Sequence, residues 1–230
     1  MKKLTELQSK IGYYFQDIEL LKIALTHTSY ANEHKKKMIK HNERLEFLGD
    51  SVLSLIITTY LFKNLSNITE GELSRIRSTI VCENSLKISG DEFNLSQYIY
   101  MGKGEEQTGG RGRSSIVSDA MEALIASIYL DSSYENAESF VLVQMRDTID
   151  KAIEGKLFKD YKTQYQEMIQ KKSNCKIEYV VISEEGPDHQ KIFTVSLLLN
   201  DKNVTTGKGR SKKAAEQNAA ELALEKTNEA

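Results

Sequence analysis

Apolar residues recur at three- and four-residue steps through most of the first 150 residues, then begin to alternate one by one past Gly155. The first pattern is that of helices with one buried stripe, the second that of strands with one buried face. Asp17 is placed to cap a helix carrying Leu20, Leu21, Ile23, Ala24 and Leu25. Residues 42–65 predict a long helix on which Leu45, Leu48, Val52, Leu55 and Ile56 recur; with Phe47 and Leu53 added, it reads as buried nearly all round. Thr69 and Glu72 have the spacing of a capping box at the next helix start. Residues 101–115 hold five glycines and read as an exposed loop, after which helical periodicity resumes at about Ser115 to Leu130 and again from about Tyr134 to Ile153. No strand pattern interrupts this part, so it is expected to be all-α.

Beyond it, residues 160–172 suit one helix. Ile177, Tyr179 and Val181 then alternate with their neighbours, as do Phe193, Val195, Leu197 and Leu199, with the turn-like SEEGPDHQ between. Asn200-Asp201 predicts a tight turn into a third strand reaching Gly207. A last helix carries Ala215, Ala219, Leu222 and Ala223, a narrow stripe suited to close packing on a sheet. The expected architecture is an all-α domain over residues 1–155 followed by a small α+β domain, in the order α-β-β-β-α, over residues 156–230.

Composition adds limits. With 230 residues, 40% of them hydrophobic and 28% charged, the chain can bury a core without staples. No apolar run reaches the roughly 20 residues of a membrane span, so no membrane partner is expected. Glu6, Gln8, Ser9 and Lys10 interrupt the basic N-terminus, which therefore does not read as a secretory signal. Cys82 and Cys175 lie far apart and match no metal or disulfide framework, so a reducing, cytoplasmic setting is expected. Residues 1–155 hold 18 basic against 22 acidic side chains and residues 156–230 hold 13 against 11, an acidic front and a basic tail.

The acids are not spread evenly. Around a helix axis Glu46 and Asp50 stand about 60° and about 20° from Glu43, so three carboxylates share one stripe of an otherwise apolar helix. Asp119 and Glu122 form a second pair, spaced to share a face of the apolar helix containing Leu124, Ile125, Ile128 and Tyr129. A solvated acidic face is the plain reading of such groups. Burial argues against it, because buried carboxylates repel one another unless a cation compensates them. Two such helices make an all-oxygen site for Mg²⁺ or Mn²⁺, the kind of ion that supports phosphodiester hydrolysis.

In the tail, Lys208, Arg210, Lys212 and Lys213 fall within six residues with no acid between them. Ser211 is a natural N-cap, which puts Lys212 and Lys213 in a first helical turn, against the helix dipole. A phosphate at that helix end would offset the cost. No aromatic residue interleaves with these cations, which favours a duplex backbone over stacked single-strand bases.

These segments resemble a known family. NERLEFLGDS (42–51) and SDAMEALIASIYLD (118–131) are similar to the two acidic motifs of ribonuclease III endonucleases, with ALTHTSYANE (24–33) and GELSRIRS (71–78) as further matches. YKTQYQEMIQ, EEGPDHQKIF and GRSKKAAEQNAA resemble a double-stranded-RNA-binding domain. The resemblance implies an endoribonuclease that hydrolyses double-stranded RNA with Mg²⁺-activated water, Mn²⁺ substituting, to give 5′-phosphate and 3′-hydroxyl ends. It implies Glu46, Asp119 and Glu122 as metal-binding, Asp50 and Glu122 as catalytic, and Glu43 as a supporting acid near a dimer interface. It further implies that Thr163, Gln166 and Glu167 meet one minor groove, that His189 enters the next, and that Lys212 and Lys213 grip the phosphates between. A homodimer and the processing of ribosomal, transfer and messenger RNA precursors follow from the same likeness.

A non-cleaving duplex-binding regulator on this fold is the alternative, and the intact Glu46, Asp50, Asp119 and Glu122 weigh against it. His27 and His41 read as structural hydrogen bonders. Lys35, Lys36 and Lys37 read as a solvated run, and Arg111 and Arg113 stay open between phosphate contacts and loop structure.

Overall fold

The structure, a computed structural model, describes residues 2–157, 161–172, 175–187 and 191–228. It divides into two units, residues 1–158 and 159–230. The first unit is helical: α1 (Lys2–Ile11), α2 (Ile18–Ala24), α3 (Thr28–Glu33), α4 (Glu43–Asn64), α5 (Glu70–Ile80), α6 (Glu83–Glu92), α7 (Lys103–Gln107), α8 (Ser114–Asp131), α9 (Tyr134–Gln144) and α10 (Arg146–Ile153). Asp17 caps α2 through Glu19 N–H, and Thr69 and Glu72 cap α5 reciprocally, as their spacing predicts.

The core of this unit is the packing of α4 on α8. Val52, Leu53, Ile56, Ile57 and Leu61 of α4 are buried, and α8 is buried along nearly its whole length, from Ile116 to Ile128. Full burial of α4 does not occur: Phe47 and Leu55, both expected inside, are 80% and 56% exposed, and Phe62 on the same side is 76% exposed. Also against expectation, α4 is long and apolar enough to cross a membrane by length and composition, the one such helix among the described residues. Its role here is that of a core helix.

Residues 101–115 are not wholly loop. They hold α7, a 3₁₀ turn at Gly110–Gly112 and the start of α8. The Glu33 side chain accepts a hydrogen bond from Gly104 N–H at 3.2 Å, so a tertiary contact helps hold a helix too short to stand alone. The stretch 134–153 breaks at Met145 into α9 and α10. One extended contact joins the helices, a parallel bridge between Thr26 and Tyr100, extended by Asn42 N–H donating to Thr26 C=O at 2.9 Å. It anchors the chain just before α4 begins.

The second unit runs α11 (Tyr161–Lys172), β1 (Ile177–Glu185), β2 (Ile192–Leu199), β3 (Lys202–Gly209) and α12 (Lys212–Asn228), with antiparallel strand order β1-β2-β3. β1 continues through Ser183, Glu184 and Glu185, residues the composition had assigned to the turn, because a register shift between Val181 and Ser183 lets pairing resume. The β2–β3 turn is the expected one: Asn200 and Asp201 both take positive φ, 49° and 64°, as a tight hairpin demands. Tyr165 and Ile169 of α11, Leu197 of β2, and Ala219, Ala220 and Ala223 of α12 form its core. Leu222, expected in that stripe, is exposed instead.

The alanine stripe works because β3 presents Gly207 to it. A Cβ at Gly207 would lie 2.3 Å from Ala219 N and 2.4 Å from Ala215 C=O, both backbone atoms of α12. Gly207→Ala should therefore push α12 off the sheet and cost the second unit at least about 2 kcal/mol. Hydrogen exchange would show β2 and β3 amides losing protection while α4 and α8 keep theirs. Unchanged protection in β2 and β3 would contradict the packing argument.

Candidate functional site

The acidic site begins with a backbone contact. A Cβ on Gly49 would stand 1.9 Å from the carbonyl oxygen of Glu122 and 2.4 Å from its carbon. Only glycine lets α4 and α8 touch there. Beside the crossing, Ala123 and Ala126 of α8 pack with Ala24 and Leu45. Gly49 lies between Glu46 and Asp50 in sequence, and Glu122 is the residue it touches, so the closest approach of the two helices gathers the carboxylates.

Their electrostatics record that gathering. Burial, then repulsion from Asp50, Glu46 and Asp119, pushes Glu122 up to about 8. Burial first, then Asp119, Glu43 and Asp50, raises Glu46. Asp119 is raised chiefly by burial, opposed by a hydrogen bond from Ser118 Oγ at 3.4 Å. Glu46, Asp119 and Glu122 are half-buried, whereas Asp50 and Glu43 are exposed. None of Glu46, Asp50, Asp119 and Glu122 has an ion-pair partner among the described residues. Nor, among those residues, do three His, Cys, Asp or Glu side chains stand close enough together to hold an ion as they are placed. The chemistry of the donor set nonetheless fits a hard divalent cation: carboxylates only, half-buried at Glu46, Asp119 and Glu122, mutually repelling and without an ion-pair partner among the described residues.

Two residues not singled out for this site in the sequence also reach it. His27 and Glu83 act on Asp119 electrostatically, the first lowering it and the second raising it. Glu83 opens α6 from a polar stretch with no periodic signal, so only tertiary packing reveals it. His27 caps α3: its Nδ1 lies 2.7 Å from Ser29 Oγ and accepts from Ser29 N–H at 3.3 Å, a structural role as expected. His41 departs from expectation, since its buried Nδ1 has no hydrogen-bond partner and lies 3.8 Å from Glu43.

The two loop arginines are occupied locally. Arg111 donates to the carbonyls of Ser96 and Ile99 at 2.6 and 3.1 Å and to Glu106 at 2.6 Å. Arg113 donates to Glu105 at 2.6 Å and to Thr108. Their charge is spent on holding α7 and the glycine turn.

In the second unit, Thr163, Gln166 and Glu167 lie together on the exposed face of α11, opposite buried Tyr165 and Ile169. Lys162 locks that helix to α12 through Glu216 at 2.6 Å, with its Nζ also 4.5 Å from the Tyr179 ring centroid. Ser211 caps α12 by accepting from Ala214 N–H at 3.1 Å. Lys212 and Lys213 are exposed in its first turn but are not equivalent. Lys212 Nζ lies 3.2 Å from Glu184 Oε1 and 5.7 Å from the Phe193 ring centroid, whereas Lys213 has no ion-pair partner among the described residues. His189 lies outside the described residues.

Comparison with known proteins bears on both units. A model described as ribonuclease-III-like matches residues 17–148, and the double-stranded RNA binding motif matches residues 161–227. The Ribonuclease 3 of Clostridium tetani is 52% identical over 222 residues, covering 96% of this chain and 94% of that protein. The Ribonuclease 3 of Clostridium perfringens is 49% identical over 226 residues, 98% of this chain and 94% of that one. Among solved structures, the nuclease domain of ribonuclease III from Campylobacter jejuni superposes with TM-score 0.58 at 39% identity, over 62% of this chain and 95% of that one, and was described for flexibility in a region involved in dimer formation.

The raised carboxyls give a pH-dependent stability. Between the ordinary carboxylate range and about 8, the folded chain holds a proton on Glu122 that the unfolded chain has released. The folded state then binds more protons, so stability falls as pH rises through that window. With a chelator present, the melting temperature should drop between about pH 5 and about pH 9. Glu122→Gln should flatten the drop, and a divalent ion should reverse it in the unsubstituted chain. A melting temperature that rises with pH in chelator would contradict the mutual repulsion.

Proposed function

The chain belongs to the ribonuclease III family of double-stranded-RNA-specific endoribonucleases, and from that premise we propose that Glu46, Asp119 and Glu122 hold Mg²⁺, with Mn²⁺ able to substitute. The observation that carries this assignment is the uncompensated carboxylate cluster at the Gly49 crossing, where Glu122 is pushed up to about 8. Bound there, the ion would supply a Lewis acid for the scissile phosphate and lower the pKa of water. Asp50, exposed on the same helix as Glu46, accepts the proton that the attacking water gives up. Glu122, fixed by the backbone contact at the crossing, would orient the ion and, through it, the phosphate relative to that acid. Glu43 supports them from outside the direct ligand set. The bond between phosphorus and the 3′-oxygen breaks, the 3′-oxygen takes up a proton from solvent, and the ends left are a 5′-phosphate and a 3′-hydroxyl.

The second unit holds the duplex. Thr163, Gln166 and Glu167 offer hydrogen-bonding groups to a minor groove, and Lys212 and Lys213 meet phosphates, a mode that reads shape rather than sequence. Duplexed segments of ribosomal, transfer and messenger RNA precursors are the substrates this reading assigns. The chain's two cysteines, Cys82 in the first unit and Cys175 in the second, are free thiols, which suits a reducing, cytoplasmic setting. A homodimer is supported by the exposed apolar stripe of Phe47, Leu55 and Phe62 on the helix that carries Glu46. Each chain supplies one hydrolytic centre, and a two-fold pair presents one centre to each antiparallel strand.

Glu122→Gln should lower cleavage of a long RNA duplex by on the order of a thousandfold while leaving duplex affinity within about twofold. Gel analysis with and without chelator reads the first, filter binding the second. Cleavage near the unsubstituted rate in Mg²⁺ would sink the assignment.

A mixed dimer of one unsubstituted and one Glu122→Gln chain, purified on two tags, tests the division of labour. It should nick one strand and leave the other whole. Clean double-strand cutting by that species would mean that one chain serves both strands.

A further inference from the structure

The two lysines of the α12 first turn differ in one respect that their sequence positions do not reveal. Lys212 is tied back to the sheet: Glu184 Oε1 lies 3.2 Å from its Nζ, and the Phe193 ring centroid lies 5.7 Å away. Glu184 and Phe193 are direct cross-strand partners on β1 and β2, so the pair forms one seat for this ammonium. The other oxygen of Glu184 faces a second lysine, Lys191 Nζ, at 3.7 Å. A single carboxylate thus sits between two cations at the edge of the basic turn. A pair this exposed adds little to folding stability, so its consequence lies in what else could occupy the cations.

We infer that Glu184 is an internal stand-in for an RNA phosphate, seated between Lys191 and Lys212, and that duplex binding exchanges this carboxylate for a phosphate oxygen. The inference rests on the duplex-binding reading of the second unit. Carboxylate and phosphate oxygens make the same charge-assisted contact with an ammonium group. Glu184 therefore competes with the ligand at Lys212, while Lys213 meets it unopposed. The exchange also changes the ion count. A lysine already neutralised by a protein carboxylate releases less condensed counterion from the duplex, so Lys212 contributes less than a full phosphate contact to the salt dependence. Glu184 is in this sense a positioning residue that holds down affinity and salt sensitivity together, at a step that carries no sequence information.

The test uses the full chain in chelator, with a fluorescent RNA duplex of about 30 base pairs titrated across a salt series. Glu184→Gln keeps the shape and removes the charge. It should tighten binding by about three- to tenfold near physiological salt and steepen the slope of log affinity against log salt by up to about one. Glu184→Asp should restore the unsubstituted slope, which a merely structural role would not require. Lys212→Ala should weaken binding less than Lys213→Ala in the unsubstituted chain and equally in the Glu184→Gln background. Weaker or unchanged binding by Glu184→Gln, with the unsubstituted chain still binding, would overturn the exchange and leave duplex binding standing. Failure of the unsubstituted chain to bind at any salt would overturn both. Should Glu184→Gln lose its fold by circular dichroism, Glu184→Ala and the two lysine variants carry the same comparison.

Discussion

The contact between the backbones of Gly49 and Glu122 is the constraint on which the first unit depends. A helix pair crossing at ordinary distance would leave room for a side chain there, and the acids of α4 and α8 would face one another across a gap. At this crossing no side chain fits. The carboxylates are forced into a half-buried cluster whose members raise one another. What resists their repulsion is the apolar packing behind them. Leu53, Ile56, Ile57 and Leu61 of α4, with Leu124, Ile125 and Ile128 of α8, are fully buried, each such side chain contributing about 1.5–3 kcal/mol. The repulsion is carried by a few groups and is relieved where Glu122 keeps its proton, below about 8, whereas the apolar contacts behind it are many.

The second unit solves a related problem with the opposite charge. Gly207 lets α12 lie directly against β3, with Thr205 Oγ1 donating to Ala219 C=O at 2.7 Å across the same seam. That close docking fixes where the first turn of α12 emerges. Lysines at a helix N-terminus oppose the dipole, and the fold answers this by placing Glu184 and Phe193 beneath one of them.

The parts legible in the sequence were those decided locally. The capping box of Thr69 and Glu72, the Asp17 cap, the span of α4 and the Asn200-Asp201 turn are each determined by residues within a few positions of one another. The carboxylate cluster was legible for a related reason, since helical spacing alone aligns Glu43, Glu46 and Asp50. What escaped was decided across the fold. α7 draws on Glu33 from another helix. β1 runs into a turn-like composition because a register shift restores its pairing. Phe47 and Leu55 read as core by periodicity, yet none of the described residues covers them. Glu83 and the Lys212–Glu184 pair depend on neighbours far off in sequence, which no window of a few residues can show.

Taken together, the two units respond in opposite directions to the ions around them. The acid cluster has no ion-pair partner among the described residues and, on the proposed function, would be completed by a divalent cation, its occupancy growing with cation concentration. The basic turn holds its charge in readiness for phosphates, and every added ion weakens that attraction, because the counterions released on binding gain less when the solution is already rich in them. A divalent cation would act on both sides of this balance. Raising it loads the carboxylates of α4 and α8 while thinning the pull of the lysines on the duplex. Loading saturates once the site is filled, whereas the loss of attraction continues. On the proposed function such a chain would have an optimum in divalent ion, set at the low side by Glu46, Asp119 and Glu122 and at the high side by Lys212 and Lys213.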